Sequence, residues 1–161
     1  MISVMWGGIA AIVGLLILVG ESLLGLHEAG VSHANVLLWL IISPIAVVGS
    51  KVHRRMSTDE TFNYGAALTT GIITSASAMI GLSLVWLLFI NVMYPDYFGL
   101  MHRYAESEAR AQGHTGALLA QEIHVGHLIF AVPAFYLISS IIPLLVGTIA
   151  SFVGAIGIRK Q

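Results

Sequence analysis

Histidine and carboxylate side chains in the polar segments are the residues of this sequence best suited to chemistry. His102 and Glu106 stand four residues apart, so they would share one face of a helix. His124 and His127 stand three apart and would do the same, with Glu122 close by. Two imidazoles and a carboxylate can hold a divalent metal ion. They can also make a pH-sensitive surface.

The alternative is that these five residues are only polar side chains at a membrane surface, with histidine in the place of lysine or arginine. No H-E-x-x-H or comparable metal motif is present. Nothing in the spacing predicts that the segment with His102 and Glu106 lies close to the segment with Glu122, His124 and His127. We therefore prefer the surface interpretation and expect no cofactor. The stretch QEIHVGHLIF, residues 121–130, is then the place where a helix leaves water.

Glu21 is the one formal charge inside an apolar run. A carboxylate in a membrane span is costly, so it is a functional candidate by default and should face the bundle or a wet cavity. Asn91, near the end of a later apolar run, is a candidate hydrogen-bond partner. The alternatives are snorkelling toward the surface and a neutral acid in a polar contact. A single carboxylate without a chain of partners is little support for proton transport.

The composition of the chain indicates which kind of structure must hold these residues in place. The chain is 57% hydrophobic and 9% charged, with a mean hydropathy of +0.90, whereas about a quarter of the residues in a soluble domain are charged. A helix needs about 20 apolar residues to cross a bilayer, and helices satisfy their own backbone groups there. We therefore predict an all-α membrane protein, a single domain over 1–161 with four transmembrane helices. Their predicted ranges are about 2–26, 34–52, 64–92 and 127–157.

The first apolar run resembles a signal peptide only in part. It lacks a basic n-region, and its apolar stretch is longer than the usual h-region, so we expect a retained span. Basic residues then set the orientation, because cytoplasmic loops carry an excess of Lys and Arg. Both termini are expected in the cytoplasm, since five of the seven basic residues fall on one side: Lys51, Arg54, Arg55, Arg159 and Lys160.

The segment between the third and fourth spans predicts one further helix, at about 95–112. Tyr97, Met101 and Tyr104 fall on one face of it, and Glu106 and Arg110 are spaced for an i,i+4 pair. Such an amphipathic helix lies on the membrane or caps the bundle. The residues after it should lead into the fourth span, with a break at Gly126.

Small residues recur at four-residue spacing within the predicted spans, as in Ala67, Gly71 and Ser75 and again in Gly147 and Ser151. Such rows let helix backbones approach closely, so they predict helix packing and no particular oligomer. Proline removes a backbone donor, and we expect static kinks rather than gating hinges where it occurs. The prolines inside the predicted spans are Pro44, Pro133 and Pro143.

Three segments in order resemble a known family. KVHRRMSTDETFNYGAALTTGI is followed by INVMYPDYFGLMHRYAESEARAQG and by a last span that ends in RKQ. Their most specific elements are Tyr64-Gly65-x-Ala67 and Asn91-x-x-Tyr94-Pro95-Asp96. The order resembles a family of small four-helix bacterial integral membrane proteins catalogued as a domain of unknown function. The resemblance implies a fold and a membrane location, and brings no activity.

Several function classes are excluded or disfavoured. The chain has no cysteine, no Walker loop, no nucleophile elbow and no haem motif, and a net charge of −1 provides no basic footprint for nucleic acid. We expect a protein that is not an enzyme: an accessory or structural subunit of a larger assembly in the cell inner membrane, of respiratory or photosynthetic type. Its partners would be lipid and other membrane subunits, or copies of itself. The alternative is a small oligomeric transporter, channel or sensor that uses Glu21 and the outer histidines.

Overall fold

The computed structural model describes residues 1–26, 38–57 and 62–156 of the chain, and within these ranges the secondary structure is helical, without a strand. The all-α prediction is therefore confirmed. The α-helices in these described ranges are α1 (Ile2–Leu23), α2 (Ser43–Ser57), α3 (Tyr64–Leu88), α4 (Tyr97–Ala111), α5 (Gly116–Ile129) and α6 (Val132–Ile156). A π-helical turn, Leu38–Ile42, leads into α2, and a second one, Phe89–Met93, continues α3.

Three helices in the described part of the chain are long and apolar enough to cross a membrane, which indicates a membrane protein. They are Ile2–Leu23, Tyr64–Met93 and Val132–Ile156. The second predicted span, 34–52, does not belong to this set. Its first four residues lie outside the described ranges, and the rest forms the turn Leu38–Ile42 and the start of α2.

The central helix of the bundle is α3, which touches α1, α2 and α6. In α1, Gly7 lies directly against Ser77 of α3. One turn further along both helices, Ala11 lies against Gly81, so α1 and α3 run in the same direction.

The direction of α6 is opposite to that of α3. The hydroxyl of Ser83 in α3 is 2.8 Å from that of Ser140 in α6. Further along α6, the Ser151 hydroxyl donates to the carbonyl of Leu68, near the start of α3, at 3.0 Å. A later residue of α6 therefore meets an earlier residue of α3, and the two helices are antiparallel.

Two hydrogen bonds place α2 beside α6 and parallel to it. The Ser43 hydroxyl donates to the carbonyl of Pro143 at 2.8 Å. Eight residues on in both helices, the Lys51 ammonium donates to the carbonyl of Ser151 at 2.6 Å. The two helices thus stay in step over this length, and α2 lies at the same depth in the bundle as the second half of α6.

Each peripheral helix buries a narrow stripe and leaves its other faces, largely apolar, exposed. In α6 the buried residues follow one another every four positions, and small side chains on this stripe let α6 approach α3 closely. The exposed apolar side chains on the remaining faces suit contact with lipid. The stripe of α6 consists of Phe135, Ser139, Pro143, Gly147, Ser151 and Ala155, and that of α1 of Ser3, Gly7, Ala10, Gly14, Leu18 and Glu21.

An aromatic cluster holds α4 against one end of the bundle. The rings of Trp86 in α3 and Phe135 in α6 meet edge to face, with centroids 4.9 Å apart. Tyr97 of α4 packs on both rings, and Met101, one turn later, is fully buried. Of the two predicted roles for this helix, the structure therefore shows that α4 caps the bundle.

The observed helix boundaries differ from the predicted ranges. The last apolar helix, α6, begins at Val132 rather than at 127, because α5 continues to Ile129 and the helix is interrupted at residues 130–131. Pro133 explains this position, since a residue without an N–H is tolerated in the first turn of a helix and not in its interior. Gly126, the predicted break, lies inside α5. Pro143 lies inside α6, and Pro44 lies in the first turn of α2, directly after the π-helical turn.

Candidate functional site

The three candidate histidines His102, His124 and His127 lie on a helical hairpin formed by α4 and α5. Gly126 of α5 faces Ala105 of α4 so closely that an added Cβ would lie 2.6 Å from the alanine methyl group. Because the two backbones approach at this point, His127 stacks on His102, with ring centroids 4.5 Å apart and planes tilted by 28°. Within the described residues, Nε2 of His102 is buried and has no hydrogen-bond partner. The hairpin therefore brings together one imidazole from each predicted pair.

The carboxylates of the predicted metal set are engaged elsewhere. Glu106 accepts a hydrogen bond from Arg110 at 2.6 Å, which confirms the i,i+4 pair. That hydrogen bond and the charge of Arg110 hold the pKa of the Glu106 carboxyl below its usual value. Glu122 pairs with Nδ1 of His114 at 2.6 Å, and His124 is exposed on α5. The residues that the structure describes contain no cluster of three or more histidine and acidic side chains able to hold a metal ion.

We expect chelation to change neither the melting temperature nor the elemental content of the purified protein. The reason is that His102 and His127 stack on each other while Glu106 and Glu122 are paired with Arg110 and His114. The measurement is a thermal melt with and without EDTA, together with elemental analysis. A stoichiometric transition metal that is lost in His102→Ala would contradict this prediction, because removing a true ligand releases the metal.

Glu21 lies on the inward stripe of α1, one turn beyond Leu18, and only 8% of its surface is exposed. Of the positions considered for it, the structure therefore favours the one inside the bundle over snorkelling toward the surface. Asn91, the predicted partner of Glu21, lies in the π-helical turn Phe89–Met93. Its amide donates to the carbonyl of Leu87 at 2.8 Å and to the hydroxyl of Tyr136 at 3.4 Å, so it links the end of α3 to α6.

The opposite end of the bundle contains a buried polar network that the sequence interpretation missed. The Thr74 hydroxyl donates to Ser50 Oγ at 2.9 Å, which joins α3 to α2. Arg54 donates to the hydroxyl of Thr70 at 2.7 Å. Most of the serine and threonine hydroxyls here also bond to backbone carbonyls, as helix-packing groups do. The buried polar residues of this network are Ser43, Ser50, Lys51, Thr70, Thr74, Ser75 and Ser151.

Lys51 is the least expected member of this network. Its charge favours a place at the cytoplasmic surface, yet the residue is 5% exposed and its ammonium donates to the carbonyl of Ser151. The sequence places Lys51 on the same helical face as Ser43 and Val47, at four-residue spacing. In the structure both of these residues are completely buried, and the contact of this face with α6 buries the lysine as well.

Comparison with known proteins identifies a family for this chain. A family model described as "Protein of unknown function (DUF4199)" matches residues 5–160. No curated protein and no solved structure matches the chain. The match extends from the first turn of α1 beyond the end of α6, so it includes the hairpin, Glu21 and the buried polar network.

Proposed function

The chain belongs to the DUF4199 family, whose function is unknown, and on that premise we propose that it is a non-catalytic integral membrane protein that serves as an accessory or structural subunit of a larger membrane assembly. The observation that supports this proposal is the exposure of apolar side chains on α5. This 14-residue helix contributes no buried residue. It nevertheless exposes apolar side chains at about half of their surface, among them Leu118, Val125 and Leu128. A helix outside the bundle with such an exposed apolar face is expected to bury it against another molecule, and a partner subunit would provide that contact.

The proposal includes four spans in the cell inner membrane, with both termini in the cytoplasm. It is supported by α2, which lies in step with α6 from Ser43 to Lys51 and so occupies the same depth as a recognised candidate span. The basic residues at the end of α2 support the orientation, because Lys and Arg are enriched in cytoplasmic loops. Lipid would cover the exposed apolar faces of α1, α3 and α6.

Cysteine labelling tests this topology. The chain has no cysteine, so Ser57→Cys and Glu108→Cys each introduce one, both at exposed positions. In intact cells an impermeant thiol reagent should label Glu108→Cys and leave Ser57→Cys unlabelled until the cells are opened. The opposite labelling pattern would overturn the orientation, and labelling of both before lysis would overturn the span count.

The absence of catalysis is likewise a proposal, and the pattern of hydrogen bonds supports it. Serine and threonine hydroxyls in the bundle donate to carbonyls of neighbouring helices or of their own helix, as Ser43, Ser75 and Ser151 do. Such bonds pack helices together. They do not pair a nucleophile with a base, which is the arrangement that hydrolytic catalysis requires.

A second candidate function is a small oligomeric transporter, channel or sensor. Two observations favour it: the inward position of Glu21, and the stacked pair of His102 and His127 beside Glu106. An ionisable group inside a membrane bundle often lies on a proton or ion pathway. Stacked imidazoles would repel each other when both are protonated, which is the basis of many pH-sensitive contacts.

Purification in a mild detergent, followed by mass measurement of the intact complex, separates the two functions. We expect stoichiometric foreign subunits to copurify, and Leu118→Glu to release them without lowering the melting temperature of the chain itself. Gln121→Glu, an exposed polar change in the same helix, is the matched control and should retain them. A homo-oligomer without foreign subunits would contradict the subunit proposal and favour the second function.

A further inference from the structure

A cavity of about 190 Å³ opens on the bundle surface at the polar end, between α2 and the last turn of α6. Its lining is mostly apolar, from side chains that lie on the outer face of α2 and from the start of the segment before α3. Two cationic side chains, one turn apart on α2, also line it. The lining residues are Val48, Lys51, Val52, Arg55, Phe62 and Gly154.

The buried lysine in this lining has fewer partners than its chemistry calls for. An ammonium carries three N–H donors. Lys51 donates one hydrogen bond, to the carbonyl of Ser151, and no carboxylate pairs with it among the described residues. The lysine residue is 95% buried, and a buried charge is stable only when it is paired or well solvated by polar groups. The site therefore calls for an anion.

The residues around the lysine leave room for such a group. Gly154, which lines the cavity, has no side chain, and a Cβ added there would lie 3.2 Å from the Lys51 ammonium nitrogen. A Cβ added at Gly71 would also lie 3.0 Å from Cε of the lysine. The lysine head thus lies close to Gly154, which lines the same cavity.

The apolar lining indicates what kind of anion fits. Val48 and Val52 are each more than half exposed and form an outward-facing apolar wall next to Lys51. Arg55 lies one turn further along α2, where a second cation can contact the same anionic group. A small inorganic ion would leave the apolar wall uncovered. A lipid covers the wall with its chain and presents its phosphate to both cations.

We propose that this cavity binds the phosphate of an anionic phospholipid, with Lys51 and Arg55 as its cationic contacts and the acyl chain along Val48 and Val52. Basic pockets between membrane helices on the cytoplasmic side recognise anionic headgroups in this way. Charge-assisted hydrogen bonds to phosphate oxygens would satisfy the remaining donors of Lys51. The inference rests on the proposed membrane location and does not depend on a partner subunit.

The test is a lipid titration of the full-length protein in detergent, with the melting temperature and the lipid retained in native mass spectrometry as readouts. Phosphatidylglycerol should raise the melting temperature at a concentration about tenfold lower than phosphatidylcholine does, because a ligand of the native state stabilises it by mass action. Lys51→Met keeps the apolar stem and removes the charge, and it should abolish this preference. Arg54→Met is the matched control, since Arg54 bonds to Thr70 and does not line the cavity.

Three results would overturn the proposal: equal effects of the two lipids, an undiminished preference in Lys51→Met, or the same stabilisation by inorganic phosphate alone. The last would assign the site to a free anion. If Lys51→Met fails to fold, Val52→Trp is the variant to test in its place. Val52 is exposed, so a large side chain there would fill the cavity without entering the bundle. Retention of phosphatidylglycerol by folded Val52→Trp would also overturn the proposal. None of these readouts depends on whether foreign subunits copurify.

Discussion

Replacing Gly7 by leucine is expected to lower the free energy of unfolding by about 3 kcal/mol, the upper part of the usual range for overpacking. A Cβ at Gly7 would overlap the Ser77 side chain and would lie 2.8 Å from the backbone nitrogen of Ala78. A side-chain obstacle can rotate away, but a helix backbone can only move as a whole. The substitution would therefore push α1 away from α3 along their contact.

Gly8→Leu is the matched control for this experiment. Gly8 is the next residue of the same helix, at the same depth, and an added Cβ would meet nothing within 4 Å. Both variants gain the same helix propensity from losing a glycine, so that gain cancels in the comparison. The measurement is denaturant-induced unfolding of the two purified variants in one detergent. Equal stabilities would contradict the close contact of α1 with α3.

Replacing Glu21 by leucine is expected to cost about 0.6–2 kcal/mol, the contribution of a polar contact inside a membrane protein. Glu21→Gln should fold and function like the unmodified protein, because it keeps the shape of the side chain and most of its bonding capacity. The reason is the position of Glu21 on the inward stripe of α1. Ser22→Leu, at the adjacent half-buried position, controls for the general effect of a new leucine.

The measurement for Glu21 is the recovery of folded protein or of its complex, together with host growth or proton flux for each variant. A proton carrier would behave differently, because glutamine cannot titrate and would be as inactive as leucine. Loss of flux in a well-assembled Glu21→Gln protein would reject the structural role. It would also favour the transporter over the accessory subunit.

The long helices follow from local properties of the chain, which explains why they were predictable. Uninterrupted apolar runs specify α1, α3 and α6, since backbone groups in lipid must be satisfied within a helix. The break before α6 follows from Pro133, whose missing N–H favours the first turn of a helix. The prediction placed the break at Gly126 and expected only a kink at Pro133. In the fold, Gly126 serves the contact with Ala105.

Which polar residues meet was decided by the tertiary structure, since that depends on how helices far apart in the sequence are aligned. His102 stacks on His127 only because α4 and α5 fold back on each other. Lys51 shows most clearly what could not be predicted from the sequence. Its charge indicated a cytoplasmic loop, whereas the parallel alignment of α2 with α6 buries it against Ser151.

The sequence by itself determined that this is a helical membrane protein with small residues where helices cross, because both properties depend on residue type and spacing along one helix. The tertiary structure alone decided that Glu21 faces inward, that α4 caps the bundle through Tyr97, and that a cavity opens beside Lys51. These features depend on the rotation and axial register of whole helices against one another. Register is set by the sum of many small contacts, and no single segment of the chain encodes it.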